Sequence, residues 1–515
     1  MSPDTKTHHR IVRRSLTSRR ETVTGHLVGL LLAAAGAGMG VCGLVETLDG
    51  GDAALSLLGP AAGVGLPGLF IWRWTQAPRR ISPATIYGAV LAAWLAFCVA
   101  ASLPYLLSGV LPSLDLALFE SVSGFTTTAA SVIRPDGVAR GVLLWRAMTQ
   151  WFGGVAIMTF VVSVLPYFRT AGFEHLAGIS GGWGGERIAP RVQETARRLV
   201  LLYVAFTAFV AAFYSLFGMG PFDAMAHSFT TVSTGGFSTH DASLAHFDSA
   251  GVEWTAIVGM VLAGGNFALY WQALRGKAFS LLRSVEMRAY LLIFSLIGVA
   301  AIAWQAPATG WTSDGVRRTL FSAVSISTTT GYTSLDYDRW AGAVQLLLVF
   351  AMAVGGMAGG SAGGFKVFRG VAVVGHVRRH LFRQLHPRAV PIVRIGDEVI
   401  EEAEIGRILG FFGLFMGVGA VATFLVAALG GLDLRTSISA VTSSLGNVGP
   451  ALGSLGPTHT YLDVSTGVRE VLMVTMLAGR LELYPVLLGL VPLARFIADR
   501  LPRRVAQILV RYGRG

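Results

Sequence analysis

Four short segments rich in Thr, Ser and Gly contain the residues of this chain best suited to chemistry. The clearest is SISTTTGYTS at Ser325–Ser334, which lies between two long apolar segments. Weaker copies are SGFTTTAAS (Ser123–Ser131), FTTVSTGGFS (Phe229–Ser238) and SSLGNVGP (Ser443–Pro450). Non-helical backbone at membrane depth is tolerated only when it is buried in protein or lines a water-filled cavity. These segments are therefore predicted to line a pore.

The four segments recur at intervals of about a hundred residues, which indicates four copies of one membrane unit. Aligned on their glycines, the equivalent positions are Ala129, Gly236, Gly331 and Gly446. Backbone carbonyls of such segments can replace the hydration shell of an ion, and Gly permits torsions that other residues avoid. The predicted ion-binding residues are Thr127, Thr128, Ala129, Thr234, Gly235, Gly236, Thr329, Thr330, Gly331, Leu445, Gly446 and Asn447.

Two charged residues, Arg480 and Glu482, interrupt the apolar segment 471–494. Charges at such depth are costly and usually face a cavity or each other. Because they are two residues apart, these two cannot share one face of a helix. Arg480 is predicted either to project into the pore, where it would raise the barrier for cations, or to bond to backbone carbonyls of a neighbouring loop. Glu482 is predicted to anchor a helix by hydrogen bonding.

Two further polar residues, Glu120 and His227, fall at matching positions before the first two segments. A proton relay is one interpretation. Hydrogen-bonded support behind the pore lining is favoured, because most buried polar groups have such partners.

A glycine-rich stretch, GGMAGGSAGG, interrupts the apolar segment 340–380. Its glycines are Gly355, Gly356, Gly359, Gly360, Gly363 and Gly364. This density of Gly predicts a helix broken into two halves by a flexible loop. Close packing against a neighbouring helix is the alternative.

Composition places the whole chain in a membrane. Of its 515 residues 53% are hydrophobic and 14% charged, which excludes an ordinary soluble domain. Cys42 and Cys98 stand singly in apolar runs, so no disulfide framework or Cys-based metal site is expected. The polar residues of the four segments are mainly Thr, Ser and Gly, and no phosphate-binding Gly loop is apparent. An enzyme is therefore not expected.

Ten apolar segments are long enough to cross a bilayer. They lie near 25–45, 53–72, 84–110, 147–168, 199–219, 254–274, 289–309, 340–365, 408–430 and 471–494. Helices too short to cross precede the four segments, at Pro112–Thr126, Pro221–Ser233, Asp314–Thr328 and Asp433–Ser443. The predicted fold is an all-α membrane protein: four pseudo-repeats of helix, re-entrant pore helix, filter and helix surround a central pore, preceded by two extra transmembrane helices. Close helix packing alone would not place glycines after four short helices in one register.

The charge distribution predicts the orientation. The net charge is +12, and Lys and Arg gather before residue 21 and in alternate loops, which predicts that both termini are cytoplasmic. The basic tail is expected to orient the first span rather than to bind nucleic acid. The loop containing Arg134, Arg140 and Arg146 is the exception. The predicted boundaries are 1–21 for the basic tail, 22–80 for the two extra helices, 81–170, 190–280, 284–395 and 402–500 for the four repeats, and 501–515 for the C-terminus.

These motifs together resemble the TrkH/KtrB/HKT superfamily of potassium and sodium transporters, and most closely its TrkH branch. The resemblance covers residues 25–500 and includes FESVSGFTTTAASV, HSFTTVSTGGFSTHD, STTTGYTS, SSLGNVGPALG, GGMAGGSAGGFKVFR and AGRLELYPVL. It implies K⁺ uptake across the bacterial inner membrane, with Gly355–Gly364 as an intramembrane gate and Arg480 beneath the filter. It also implies a homodimer that is surrounded by membrane lipid and binds a cytoplasmic, TrkA-like, nucleotide-binding subunit.

One residue departs from the family pattern. Related potassium-selective members typically have Gly where this chain has Ala129, and in the plant HKT branch loss of this Gly to Ser accompanies sodium transport. Sodium or non-selective transport is therefore an alternative. The three other glycines and the TTTGYT sequence favour potassium.

Overall fold

The computed structural model describes residues 20–77, 83–163, 188–309, 311–389, 392–396 and 398–498. Helices dominate this part of the chain, which confirms the all-α class. Its strands are two-residue pairs, parallel for β1 (Arg20–Glu21) with β2 (Thr75–Gln76) and antiparallel for β3 (Arg394–Ile395) with β4 (Glu398–Val399). The basic tail up to residue 19 and the predicted C-terminus 501–515 lie outside the described residues.

The two extra helices form a tight hairpin. They are α1 (Val23–Leu48) and α2 (Ala54–Trp74). A Cβ added at Gly36 would lie 2.3 Å from the Cα atom of Gly65, so the two backbones touch there. Helix-packing glycines, which were an alternative for the pore segments, are thus found in this hairpin.

Each pore repeat contains a long helix, then a short helix, and then one or more further helices. The first repeat has α3 (Pro83–Leu107), α4 (Leu114–Phe125) and α5 (Arg140–Ser163), and the second has α6 (Ile188–Leu216), α7 (Pro221–Val232), α8 (Ala250–Gly264), α9 (Phe267–Leu274) and α10 (Phe279–Arg283). The third has α11 (Val285–Thr309), α12 (Ser313–Ser327), α13 (Gly342–Val354) and α14 (Val367–Leu385). The fourth has α15 (Glu402–Gly430), α16 (Leu434–Gly446), α17 (Thr466–Arg480) and α18 (Leu483–Ala498).

The spans confirm a multi-pass membrane protein, with two corrections. Within the described residues, α1, α2, α3, α6, α11 and α15 are long and apolar enough to cross a membrane. The predicted continuous spans 254–274 and 471–494 are wrong, because α8–α9 bends by 100° and α17–α18 by 111°. At the first bend the Asn266 side chain accepts the N–H groups of Ala268 and Leu269 and so starts a new helix. At the second, Glu482 has a left-handed φ of 69°.

Polar contacts join the four repeats into a closed ring. They are Arg146 to the Ser238 carbonyl (2.8 Å, repeats one and two), Glu253 to Arg317 (2.5 Å, two and three), Asp338 to Arg435 (2.5 Å, three and four) and Arg469 to Asp115 (2.7 Å, four and one). Arg146 was assigned to a loop from the sequence, and this is wrong: it lies in α5 and is 3% exposed. These contacts between repeats hold the short helices α4, α7, α12 and α16 around one centre.

Candidate ion-conducting pore

The four short helices end in the same backbone turn. In each repeat the first residue of the pore lining donates its N–H to the carbonyl three residues earlier, and the next residue donates to the carbonyl five residues earlier. The first residues have left-handed φ angles between 51° and 58°. They are Thr127, Thr234, Thr329 and Asn447.

The third lining residue of each repeat shows which positions of the four lining segments are equivalent. All four have positive φ: Ala129 (64°), Gly236 (81°), Gly331 (82°) and Gly449 (108°). The predicted equivalence of Gly446 with Gly331 is therefore wrong by three residues. Leu445 and Gly446 form the last turn of α16, because this helix continues beyond its predicted end at Ser443. The fourth lining segment is residues 447–449, and the second Gly of GNVG was the signal for it.

The four lining segments surround a single axis. An added Cβ would collide with a carbonyl of the next repeat at three junctions: Gly236 with Thr330 (1.8 Å), Gly331 with Val448 (2.1 Å) and Gly449 with Thr128 (2.3 Å). These contacts run from repeat two to three, from three to four and from four to one. The contact of Arg146 with the Ser238 carbonyl joins repeats one and two and completes this order. No room is left for a side chain at the three glycines.

Buried carbonyls without partners make this ring suitable for a cation. The carbonyls of seven fully buried lining residues accept no hydrogen bond from any residue that the structure describes. They belong to Thr127, Thr128, Thr234, Thr329, Thr330, Asn447 and Val448. Unpaired buried carbonyls are costly unless another group satisfies them. The negative ends of the four helix dipoles at the same place add to their attraction for a cation.

Glu120 and His227 support the lining from behind, as predicted. Glu120 accepts from Arg146 Nε (2.5 Å) and from the N–H of Val132 (2.9 Å). His227 Nε2 lies 3.0 Å from Ser238 Oγ. Because these groups are bonded to the backbone and side chains of the lining, they hold its shape.

Two amide side chains also position the lining. Gln150 donates to the Gly235 carbonyl (2.9 Å) and accepts from the Phe237 N–H (3.1 Å). Asn447, which was predicted only as an ion ligand, donates through Nδ2 to Thr128 Oγ1 (3.0 Å). Sequence reasoning missed Gln150. A single amide in an apolar helix is a signal of this role, since polar residues in spans face the protein interior.

A vestibule of about 250 Å³ lies on one side of the ring. Its lining includes Ala129, Gly236, Gly331 and Pro450 of the lining segments, together with Arg134 and His240. The ring therefore opens on this side into a polar cavity.

The glycine-rich loop lies against the pore helices where the lining segments begin. It runs from 355 to 366 between α13 and α14, which confirms the predicted break. The Gly363 N–H donates to Thr329 Oγ1 (2.8 Å), and Ser361 Oγ donates to the Val232 carbonyl (2.9 Å). A Cβ at Gly363 would lie 2.1 Å from the Gly446 carbonyl. The loop thus contacts the ends of three pore helices.

Two charged side chains bond to the loop backbone, Glu286 from α11 and Lys366 from the loop itself. Glu286 accepts the Ala358 N–H (2.6 Å), and Lys366 donates to the Ala362 carbonyl. Left-handed φ angles at Gly355, Gly359 and Gly364 give the chain its tight path.

Arg480 ends helix α17 close to this loop. It is 3% exposed, and its Nε and Nη2 atoms have no hydrogen-bond partner within the described part of the chain. Its neighbour Gly479 lies against Asn447, as does Gly363 of the loop. Glu482 forms an ion pair with Arg369 (2.7 Å), so the predicted anchoring role of Glu482 is confirmed.

A ring of carbonyls at the centre of four membrane repeats, with a glycine-rich loop packed against the pore helices, defines a membrane pore for cations. The chain matches the model of the TrkH family, described as cation transport proteins, over residues 72–494. It belongs to this family.

Known relatives cover most of the chain. It is 35% identical to the Trk system potassium uptake protein TrkH of Vibrio parahaemolyticus over 412 residues, 78% of this chain and 83% of that protein. It is 31% identical to TrkI of Halomonas elongata over 442 residues, 85% and 89% of the two chains. The crystal structure of the potassium transporter TrkH from Vibrio parahaemolyticus superposes with a TM-score of 0.83 at 32% identity, covering 91% of this chain and 98% of that one.

Proposed function

We propose that this protein takes up K⁺ through a gated pore at the centre of its four repeats. The observation that carries this function is the ring of buried, unpaired carbonyls, which can replace the water around a monovalent cation. The relatives reported above are potassium uptake proteins, and they give no support to the sodium alternative. K⁺ is thus the transported substrate, and its ligands are backbone oxygens.

The loop 355–366 and Arg480 act as the gate in this proposal. The loop lies against three pore helices beneath the ring, so K⁺ leaving the ring must pass it. The guanidinium of Arg480 adds a fixed positive charge at the same level. A cation in a low-dielectric passage is repelled by such a charge more strongly than in water.

The family supports a proposal for the membrane location of the protein and for its partners. The relatives are described as parts of a Trk system, which supports function together with other Trk components. We propose a homodimer in the bacterial inner membrane, with both termini in the cytoplasm and a TrkA-like nucleotide-binding subunit on the cytoplasmic side.

Growth at low potassium tests the function directly. The chain, produced in a bacterium that lacks its own potassium uptake systems, should restore growth at low K⁺. Purified protein in liposomes should carry K⁺ down its own gradient and discriminate against Na⁺. Failure to restore growth despite normal membrane expression, or equal flux of the two ions, would contradict K⁺ uptake.

Removal of the charge at Arg480 tests the gate. Arg480→Ala should increase K⁺ flux in liposomes several-fold, because the barrier below the ring falls. Arg480→Lys, which keeps the charge, should leave the flux close to that of the native protein. An unchanged flux in the Ala variant would mean that this side chain points away from the ion path.

A further inference from the structure

An apolar pocket of about 340 Å³ lies where α8 bends into α9. Side chains of α6, α8, α9 and α10 line it, among them Phe206, Leu262, Phe267 and Tyr270. The Tyr270 hydroxyl is the one polar side-chain group among the lining residues. A soluble polar ligand would gain few hydrogen bonds here, whereas a hydrocarbon chain would bury apolar surface against the lining.

Basic and apolar side chains are exposed together at the end of this pocket. Leu274 and Phe279 are 72% and 74% exposed, and Arg275 and Lys277 between them are also exposed. The guanidinium of Arg275 lies 5.6 Å from the ring centroid of Trp271. Segments with apolar, aromatic and basic residues side by side lie at the interface of a membrane with water.

The charges at this rim favour an anionic headgroup. Neither Arg275 nor Lys277 forms an ion pair with any residue of the described ranges. The neighbouring Arg198 is paired with Glu194 and is therefore less available. Two cationic side chains next to an apolar pocket match the phosphate and the acyl chain of one phospholipid.

The bend beside the pocket is bonded to the gate loop. The Gly264 carbonyl accepts the Met357 N–H (2.9 Å), and the Phe267 N–H donates to the Gly359 carbonyl (3.3 Å). Phe267 also lines the pocket. An acyl chain in the pocket would therefore contact Phe267, whose N–H is bonded to the loop.

We propose that this pocket binds the acyl chain of an anionic phospholipid, that Arg275 and Lys277 bind its phosphate, and that the bound lipid stabilises the loop in its closed position. The effect on the loop rests on the proposed gate, whereas binding of the lipid does not.

The chain offers a matched control cavity. A second apolar cavity of about 230 Å³ lies between α6 and the other half of α8, lined by residues such as Phe213, Trp254 and Val258. No Lys or Arg is among its lining residues; Phe206 lines both cavities, whereas Trp254 and Val258 line only this one. Ala273→Phe fills the proposed lipid pocket, and Val258→Phe fills the control cavity.

Native mass spectrometry of the full chain with added phosphatidylglycerol or phosphatidylcholine tests the binding. The native protein and Val258→Phe should retain phosphatidylglycerol in preference to phosphatidylcholine. Ala273→Phe and the double variant Arg275→Gln/Lys277→Gln should retain about tenfold less phosphatidylglycerol, because an acyl site or two basic contacts are lost. Equal retention by Ala273→Phe and the native protein would overturn the proposal, as would equal retention of the two lipids.

Flux measurements test the effect on the loop. In phosphatidylcholine liposomes, added phosphatidylglycerol should lower K⁺ flux through the native protein and Val258→Phe, and should leave the double variant unchanged. If lipid binds as expected but flux does not respond, the link to the loop is wrong. If the native protein carries no K⁺ in either membrane, the proposed transport fails while the binding result stands.

Discussion

The first and third lining segments have the same backbone but different residues at the decisive position. Ala129 and Gly331 both have left-handed φ angles, 64° and 82°. A Cβ at Gly331 would lie 2.1 Å from the Val448 carbonyl, whereas Ala129 already has one. The fourfold similarity of the pore is therefore a property of its backbone turns. Whether a side chain is tolerated depends on the neighbouring repeat.

Ala129 lies next to the fourth repeat, where its Cβ would be 3.1 Å from a Cβ added at Gly449, and on its other side comes the second repeat, which differs from the others. By the rotation that relates the other three junctions, the methyl group of Ala129 is expected to face the Gly235 carbonyl. This carbonyl accepts a hydrogen bond from Gln150, while its equivalents at Thr128, Thr330 and Val448 accept none within the described residues. Gln150 thus fixes the position of this carbonyl.

The largest loss of K⁺ uptake is expected when Gly331 of the third lining segment is replaced by Ala, the residue found at this position in the first. Gly331→Ala should reduce K⁺ uptake more than about tenfold, because the new methyl group collides with a ring carbonyl and left-handed backbone costs Ala ~1–2 kcal/mol. Uptake by cells at matched membrane expression measures this. Gly342→Ala is the control, since no atom lies within 4 Å of a Cβ there. Normal uptake by Gly331→Ala would show that the ring is looser than described.

A smaller effect is expected from Gln150→Ala. Loss of its two hydrogen bonds frees the Gly235 carbonyl, and each bond contributes about 1 kcal/mol. K⁺ flux should fall several-fold relative to Na⁺ flux in liposomes under matched gradients. Gln345→Ala removes a buried amide that donates to the carbonyls of Asp338 and Trp340, just before α13, and should not change the ratio. The same change in both variants would indicate general destabilisation.

The smallest effect is expected from Ala129→Gly. Relief of left-handed strain, about 1 kcal/mol, is partly offset by the greater freedom of Gly in the unfolded chain. K⁺ uptake and the ratio of K⁺ to Na⁺ flux should therefore stay within about twofold of the native values. A sodium flux that is present in the native protein and vanishes in the Gly variant would instead assign selectivity to this methyl group.

Local sequence patterns predicted most of the elements that build the pore. The hydroxyl-rich segments, the short helices before them and the break at 355–364 follow from composition and Gly density, because both act on the chain within a few residues. Three of the four lining segments were placed correctly in register with one another. The fourth was displaced, because GNVG contains two glycines and only the hydrogen bonds at the end of α16 show which one takes the left-handed turn.

The sequence by itself determined that this chain spans a membrane and repeats one unit four times, since hydrophobic length and recurring motifs need no knowledge of distant contacts. Only the tertiary structure decided which groups meet. It paired Arg146 with Glu120, placed Gln150 behind Gly235 and bent the chain at Asn266 and Glu482. The physical reason is that a buried polar group is stabilised by whichever partner the packed fold brings within hydrogen-bond distance, and that partner is often a hundred residues away in the chain.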